Sequence, residues 1–261
     1  MWIGSGGPNS FDAEGDHYVQ SINITQRRRG AEASISRSLC ASAPLREKFF
    51  GRMRVVAAIF GLFLSATTYA QDGKKSDWRP LFDGKSLAGW KATDFGGEGE
   101  VTVENGQILM RMGQPLTGIT WKDGDAIPKD NFEISLQAMK RKGDDFFCAL
   151  TFPVRDSHAT FVIGGWAGTV VGLSSINGSD ASENETTQYE KFDPNKWYTV
   201  RVRVAEGKVE CWIDDKQMVE VELAGKRIST RIEVDPNKPL GICCYNTESA
   251  LKDIKLRRVE K

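Results

Sequence analysis

The side chains best suited to chemistry cluster in the middle of this 261-residue chain. Glu183 and Glu185 stand two positions apart. On a strand that spacing puts both on one face, and two carboxyls held close split their pKa values into an acid and a base. A solvated acidic loop is the other reading of the same run. His158 titrates near neutral pH and suits a general base, or else it makes a structural hydrogen bond beside its strand. Arg155, three residues earlier, brings a fixed cation that can polarise an oxygen. Trp166 lies in Gly165-Trp166-Ala167-Gly168 and suits a flat stacking platform; as a core residue it would need a partner for its indole N–H. Trp121 and Trp212 are weaker candidates. Asp156 and Asn184 add planar polar groups for a bound ligand.

Other chemistries lack their residues. There is no nucleotide loop, no Gly-x-Ser-x-Gly elbow and no spacing of metal ligands, so neither a cofactor nor a metal is expected. Only two histidines occur, His17 and His158, which excludes a histidine-rich zinc site in the main part of the chain. Residues 71–261 carry 27 basic and 30 acidic side chains, a balance with no electrostatic footprint for nucleic acid. After Cys40 come Cys148, Cys211, Cys243 and Cys244, each within an apolar run. Such placement favours buried free thiols, although an exported chain can also pair them.

The elements that must position these groups read as strands and turns. Phe132, Ile134, Leu136 and Ala138 alternate with Glu133, Ser135 and Gln137. Tyr198, Val200, Val202 and Val204 alternate with Thr199, Arg201 and Arg203. Val209, Cys211 and Ile213, then Val219, Val221 and Leu223, continue the pattern as a three-stranded meander. Asn105-Gly106 marks a tight hairpin. Asp145–Phe152 is nearly continuous apolar and predicts a central strand. Thr160–Gly164 and Thr169–Gly172 predict two short ones, and Leu240–Tyr245 and Leu251–Val259 close the set. Short strands at this spacing predict an all-β antiparallel sandwich, one domain over 78–261. Asp83-Gly84 reads as a turn, and Trp90 as the filling of one sandwich end.

The start of the chain has a different character. Met53-Arg54 precedes an apolar run of 11 residues, Val55 to Ser65, and then Thr68-Tyr69-Ala70. This is the grammar of a secretory signal peptide over 53–70. It is too short for a spanning helix, which needs about 20 apolar residues. An uncleaved anchor or a buried helix is the alternative. The reading therefore takes translation to start at Met53, with 1–52 a leader outside the protein proper or disordered. It makes 71–77 a linker, leaves no membrane anchor after cleavage, and places the product in the periplasm or outside the cell.

Several runs resemble a known family. Trp78-Arg79-Pro80-Leu81-Phe82-Asp83-Gly84-Lys85-Ser86-Leu87-Ala88-Gly89-Trp90 is similar to the opening signature of the bacterial 3-keto-disaccharide hydrolase domain. Val103-Glu104-Asn105-Gly106, Asn131-Phe132-Glu133-Ile134, Asn195-Lys196-Trp197-Tyr198-Thr199-Val200 and Leu251-Lys252-Asp253-Ile254-Lys255-Leu256 resemble its later elements, in order. The resemblance implies a concanavalin A-like jelly-roll β-sandwich, exported, with a carbohydrate ligand. It implies cleavage of 3-keto-glycosides: the ketone acidifies the C2 hydrogen, and a base expels the glycosidic oxygen by elimination. Glu183, Glu185 or His158 would be base or acid, Arg155 would polarise the ketone, and Trp166, Asp156 and Asn184 would bind sugar. Asp144–Leu150 and Phe161–Trp166 replace the family's usual middle runs, where such domains keep their ligand site. A non-catalytic carbohydrate-binding module and an interaction module without a sugar ligand are the other readings.

Overall fold

The computed structural model describes residues 77–260. The leader, the signal peptide and nearly all of the linker, with Cys40 and His17, lie outside the described residues. Fifteen strands follow in order. They are β1 (Arg79–Pro80), β2 (Trp90–Ala92), β3 (Val101–Glu104), β4 (Gln107–Met110) and β5 (Leu116–Trp121). Then come β6 (Phe132–Gly143), β7 (Cys148–Val154), β8 (Ser157–Gly164), β9 (Val170–Ser174) and β10 (Gln188–Tyr189). The last are β11 (Trp197–Ala205), β12 (Lys208–Ile213), β13 (Lys216–Glu222), β14 (Gly241–Tyr245) and β15 (Thr247–Arg258).

Two antiparallel sheets result. One runs β13-β12-β11-β6-β15-β4-β3, with β1 added beside β15; the other runs β10-β9-β8-β7-β14-β5-β2. Their inner faces interdigitate as a sandwich core. The alternation read from the sequence sets which residues go in. Phe132, Ile134, Leu136 and Ala138 from β6 join Tyr198, Val200, Val202 and Val204 from β11 in that core. From the opposite sheet come Cys148, Leu150 and Phe152 of β7 and Phe161 and Ile163 of β8. Asn105 and Gly106 both take positive φ, 51° and 77°, as the tight turn between β3 and β4 requires. Trp90 is buried at one end, its indole N–H donating to the Leu81 carbonyl at 2.7 Å. Asp83 accepts the N–H groups of Lys85 and Ser86, each at 2.8 Å, so it is a turn residue.

Cys148, Cys211, Cys243 and Cys244 are buried free thiols. Cys244 belongs to the central core while its neighbour Cys243 packs on the other face with Leu116, Ala149 and Val234. Burial drives all four thiols well above the ordinary cysteine range.

Two expectations shift. The strand expected from Asp145 starts at Cys148, because Asp145 and Phe146 turn outward ahead of it. The segment holding Glu183 and Glu185 is a run of turns between β9 and β10, so their two-residue spacing does not place them on one strand face.

Candidate functional site

The outer face of the seven-stranded sheet carries a pocket of about 290 Å³. Its floor follows from strand register. Ala149 pairs with Val162, Thr151 with Thr160, and Thr160 with Ser174, and these side chains all point away from the core. Small residues in adjacent rows leave space where larger ones would fill the surface. Ala149, Thr160, Val162 and Ser174 form this floor.

Three segments raise the walls. Ahead of β7 stand Asp145 and Phe146, and after β8 comes Trp166. Phe146 packs against Tyr245 at the end of β14, ring centroids 5.6 Å apart. Arg231, just ahead of a 3₁₀ segment (Ile232–Asn237) laid over the sheet, and Glu233 and Val234 within it complete the lining. Asn237 anchors that segment. Its amide donates to the hydroxyls of Thr93 and Thr120 and to the Ile119 carbonyl, at 3.0, 3.2 and 3.0 Å. Gly241 lets it approach: a Cβ there would lie 2.5 Å from the Asn237 carbonyl oxygen.

The turn that carries Trp166 is left-handed. Trp166 has φ 47° and Ala167 φ 63°, between Gly164 at 78° and Gly168 at 89°. Non-glycine residues in that region cost on the order of 1–3 kcal/mol each, and such strain concentrates at functional sites. Asp145 ties the turn down, accepting the Ala167 N–H at 3.4 Å and the Phe146 N–H at 2.7 Å. No cation pairs with the Asp145 carboxylate among the described residues.

Arg231 uses three of its five N–H donors on two carboxylates. It donates to Glu233 through Nη2 at 2.8 Å and Nε at 3.3 Å, and to Asp180 through Nη1 at 2.7 Å. The Arg231 guanidinium holds the Glu233 carboxyl below the usual carboxylate range, so both stay ionised.

The sequence-predicted residues divide. Trp166 lines the pocket and is 39% exposed. His158 lies on the same outer face, two residues from Thr160, or about 7 Å along the strand. Burial and then the charges of Lys238 and Lys129 depress its pKa, which leaves it neutral at pH 7. Arg155 and Asp156 form the exposed β7–β8 turn, on the order of 20 Å along the hairpin from Trp166. Glu183 is exposed, and Glu185 pairs with Lys226. Asn184 is spent on its own loop: its amide donates to the Leu173, Ser179 and Asp180 carbonyls, and its oxygen accepts from Thr186. It reaches the pocket only indirectly, since it shapes the loop whose Asp180 holds Arg231.

Sequence reasoning missed Asp145, Phe146, Tyr245, Arg231 and Glu233. A signal existed for the first two. Asp144-Asp145 places two carboxylates directly before the apolar run of β7. Among the described residues no three histidine, cysteine or carboxylate groups converge as a metal set.

The 3-keto-alpha-glucoside-1,2-lyase-like domain model matches residues 77–257. The chain belongs to that family. No curated protein matches it in sequence. Solved structures with a similar backbone include a carbohydrate-binding module, CBM66, of Bacillus subtilis (14% identity, TM-score 0.43, 65% of this chain and 95% of that one). Another is a Bacillus subtilis protein of unknown function with a galectin-like fold (10%, 0.49, 70% and 96%). A third is the exoplasmic/lumenal domain of VIP36 in a Ca²⁺/Man3GlcNAc-bound form (12%, 0.46, 72% and 90%). In this 3-keto-alpha-glucoside-1,2-lyase-like domain the runs Asp144–Leu150 and Phe161–Trp166 supply Asp145, Phe146, Ala149, Val162 and Trp166 to the pocket.

Proposed function

We propose that this domain binds a saccharide in the outer-face pocket and cleaves 3-keto-glycosides there by elimination. The observation that carries the reading is the joining of Asp145 to the strained turn of Trp166 at the pocket wall. Aromatic walls with a few planar polar groups are what a sugar site requires, and the volume lies at the small end of the range for ligand pockets, about 300–1,000 Å³. Trp166 stacks on a sugar face. Asp145, with no cation paired to it among the described residues, takes the C2 hydrogen as a proton. The electron pair passes to the ketone oxygen as an enolate and returns to form the C1–C2 double bond as the C1–O bond breaks. The proton held by Asp145 passes to the departing oxygen, which leaves as the alcohol. Arg231 stabilises the negative charge that develops on the ketone oxygen. Membership of the 3-keto-alpha-glucoside-1,2-lyase-like family supports the choice of reaction.

A panel of 3-keto-glucosides and ordinary glucosides tests this. Asp145→Asn should abolish release of the leaving alcohol from the keto substrate. Trp166→Ala should weaken both turnover and binding. Binding of ordinary glucosides without turnover of any keto substrate would replace the enzyme by a carbohydrate-binding module. The engagement of Arg231 by two carboxylates favours that second reading, since it holds back the one cation in the pocket.

We further propose that the chain is exported and that the mature protein begins at Gln71. The apolar run ending before Thr68-Tyr69-Ala70 supports it. Intact mass of protein from its host should give Gln71 or a near neighbour first, and peptides from residues 1–40 would contradict it.

A further inference from the structure

We infer that the pocket selects saccharides by charge, accepting amino sugars ahead of neutral ones and rejecting uronic and sulfated sugars, with Asp145 as the specificity residue. The inference rests on the carbohydrate reading of this pocket. Its basis is the charge ledger of the lining. Asp145, Arg231 and Glu233 are the ionisable side chains at hand for a charged ligand. Arg231 is the cation among them, and it is already bonded to Glu233 at 2.8 Å and to Asp180 at 2.7 Å. An incoming carboxylate or sulfate would have to displace one of those partners, or lie beside them as a like charge. Like charges set against each other in a partly desolvated site are strongly unfavourable.

Asp145 is the complementary case. Its two oxygens accept one backbone N–H each, from Phe146 and Ala167, and each keeps a lone pair free. No lysine, arginine or histidine is paired with it among the described residues. The same cavity is lined by Trp166, Phe146 and Tyr245. A ring ammonium gains a charge-assisted hydrogen bond from Asp145 and cation–π attraction from the aromatic walls. A neutral sugar gains only the hydroxyl version of the first. A uronate gains at most the same hydroxyl bond and meets the surplus negative charge of the lining.

Titration calorimetry with three unoxidised disaccharides tests this, because without a 3-ketone they bind and do not react. One carries glucosamine, one glucose and one glucuronate. At about pH 6 the ligands' amine is protonated and the glucuronate is ionised. The wild-type domain should bind the glucosamine disaccharide about tenfold or more tighter than the glucuronate one, with glucose between, and the ratio should shrink as salt is added. Asp145→Asn should collapse that ratio, and Asp145→Glu, which keeps the charge, should retain it; circular dichroism reports that both variants fold. Equal or tighter glucuronate binding, or an unchanged ratio in Asp145→Asn, overturns the charge selection while leaving a sugar site in place. Failure of all three disaccharides to bind overturns the carbohydrate reading and this inference with it.

Discussion

Glu233 grips Arg231 at two points, Oε1 to Nη2 at 2.8 Å and Oε2 to Nε at 3.3 Å, on the rim of the pocket. Both side chains are about half exposed, and such pairs contribute only about 0–1 kcal/mol to stability. Their effect should therefore be on the ligand. Arg231→Gln should leave the thermal midpoint within a few degrees and weaken binding of the neutral glucose disaccharide about tenfold. A large loss of stability with unchanged binding would make the pair structural. The pair also sets a pH limit. Glu233 titrates below its ordinary value, so the contact persists above about pH 4 and is lost as pH falls through the lowered pKa. Binding controlled by this pair should be flat from pH 7 down to about 5 and should fail only in more acid solution.

His158 gives a second pH dependence, in stability. Desolvation comes first among the causes that lower its pKa, followed by Lys238 and Lys129. The folded state thus resists a proton that the unfolded chain accepts near pH 6.5. Stability from neutral His158 is present above that value and declines as pH falls below it. The drop in thermal midpoint between pH 7.5 and 5.5 should be smaller in His158→Gln than in the wild type. Equal drops in the two proteins would show that His158 is not the group responsible.

How far the sequence carries differs between framework and site. Alternation in β6, β11, β12 and β13 is dictated by burial on one face and water on the other, so the faces of Phe132 to Ala138 and Tyr198 to Val204 are readable from residue type alone. The pocket is not. Its floor of Ala149, Thr160 and Ser174 depends on cross-strand register, which brings together residues that no local window contains. Arg231 and Glu233 arrive from a segment whose place over the sheet is fixed by Asn237, far along the chain. Trp166 was legible because glycines around an exposed aromatic break the strand pattern. Asn184 looked like a ligand residue because a polar loop residue has the same composition whether it binds a sugar or its own carbonyls.

Glu133 tests the opposite sheet. It sits on the outer face of β6, yet its side chain is only 1% exposed, between Arg201 at 2.8 Å and Arg257 at 2.7 Å. Arg201 in turn lies 3.7 Å over the Trp212 ring, which accounts for that tryptophan on the water-facing side of β12. Removing one member of a buried ion pair leaves an uncompensated charge, at a cost of about 3–5 kcal/mol. Glu133→Ala strands two cations, although their outer parts reach water, so a loss of about 3 kcal/mol is expected in urea unfolding. Saccharide binding should be unchanged at a temperature where the variant remains folded. A loss under about 1 kcal/mol would mean that the two arginines find water as readily as they find Glu133.

Trp166 separates stability from function most sharply. Its left-handed backbone, φ 47° and ψ 71°, is a conformation glycine adopts freely and tryptophan does not. Its ring is substantially exposed, so burial offsets little of that strain. Replacement by glycine relieves on the order of 1–3 kcal/mol of local strain and returns about 0.5–1 kcal/mol through a freer unfolded chain. The net expectation for Trp166→Gly is a domain more stable by about 1 kcal/mol. The same change removes the stacking surface and should weaken saccharide binding about tenfold or more, the scale of truncating a central aromatic anchor. Chemical denaturation and calorimetry on one preparation read both effects. A variant that gains stability and loses binding is what a residue retained for its ligand predicts. A variant that loses stability and keeps binding would return Trp166 to the role of packing, and with it the claim that this wall of the pocket faces a sugar.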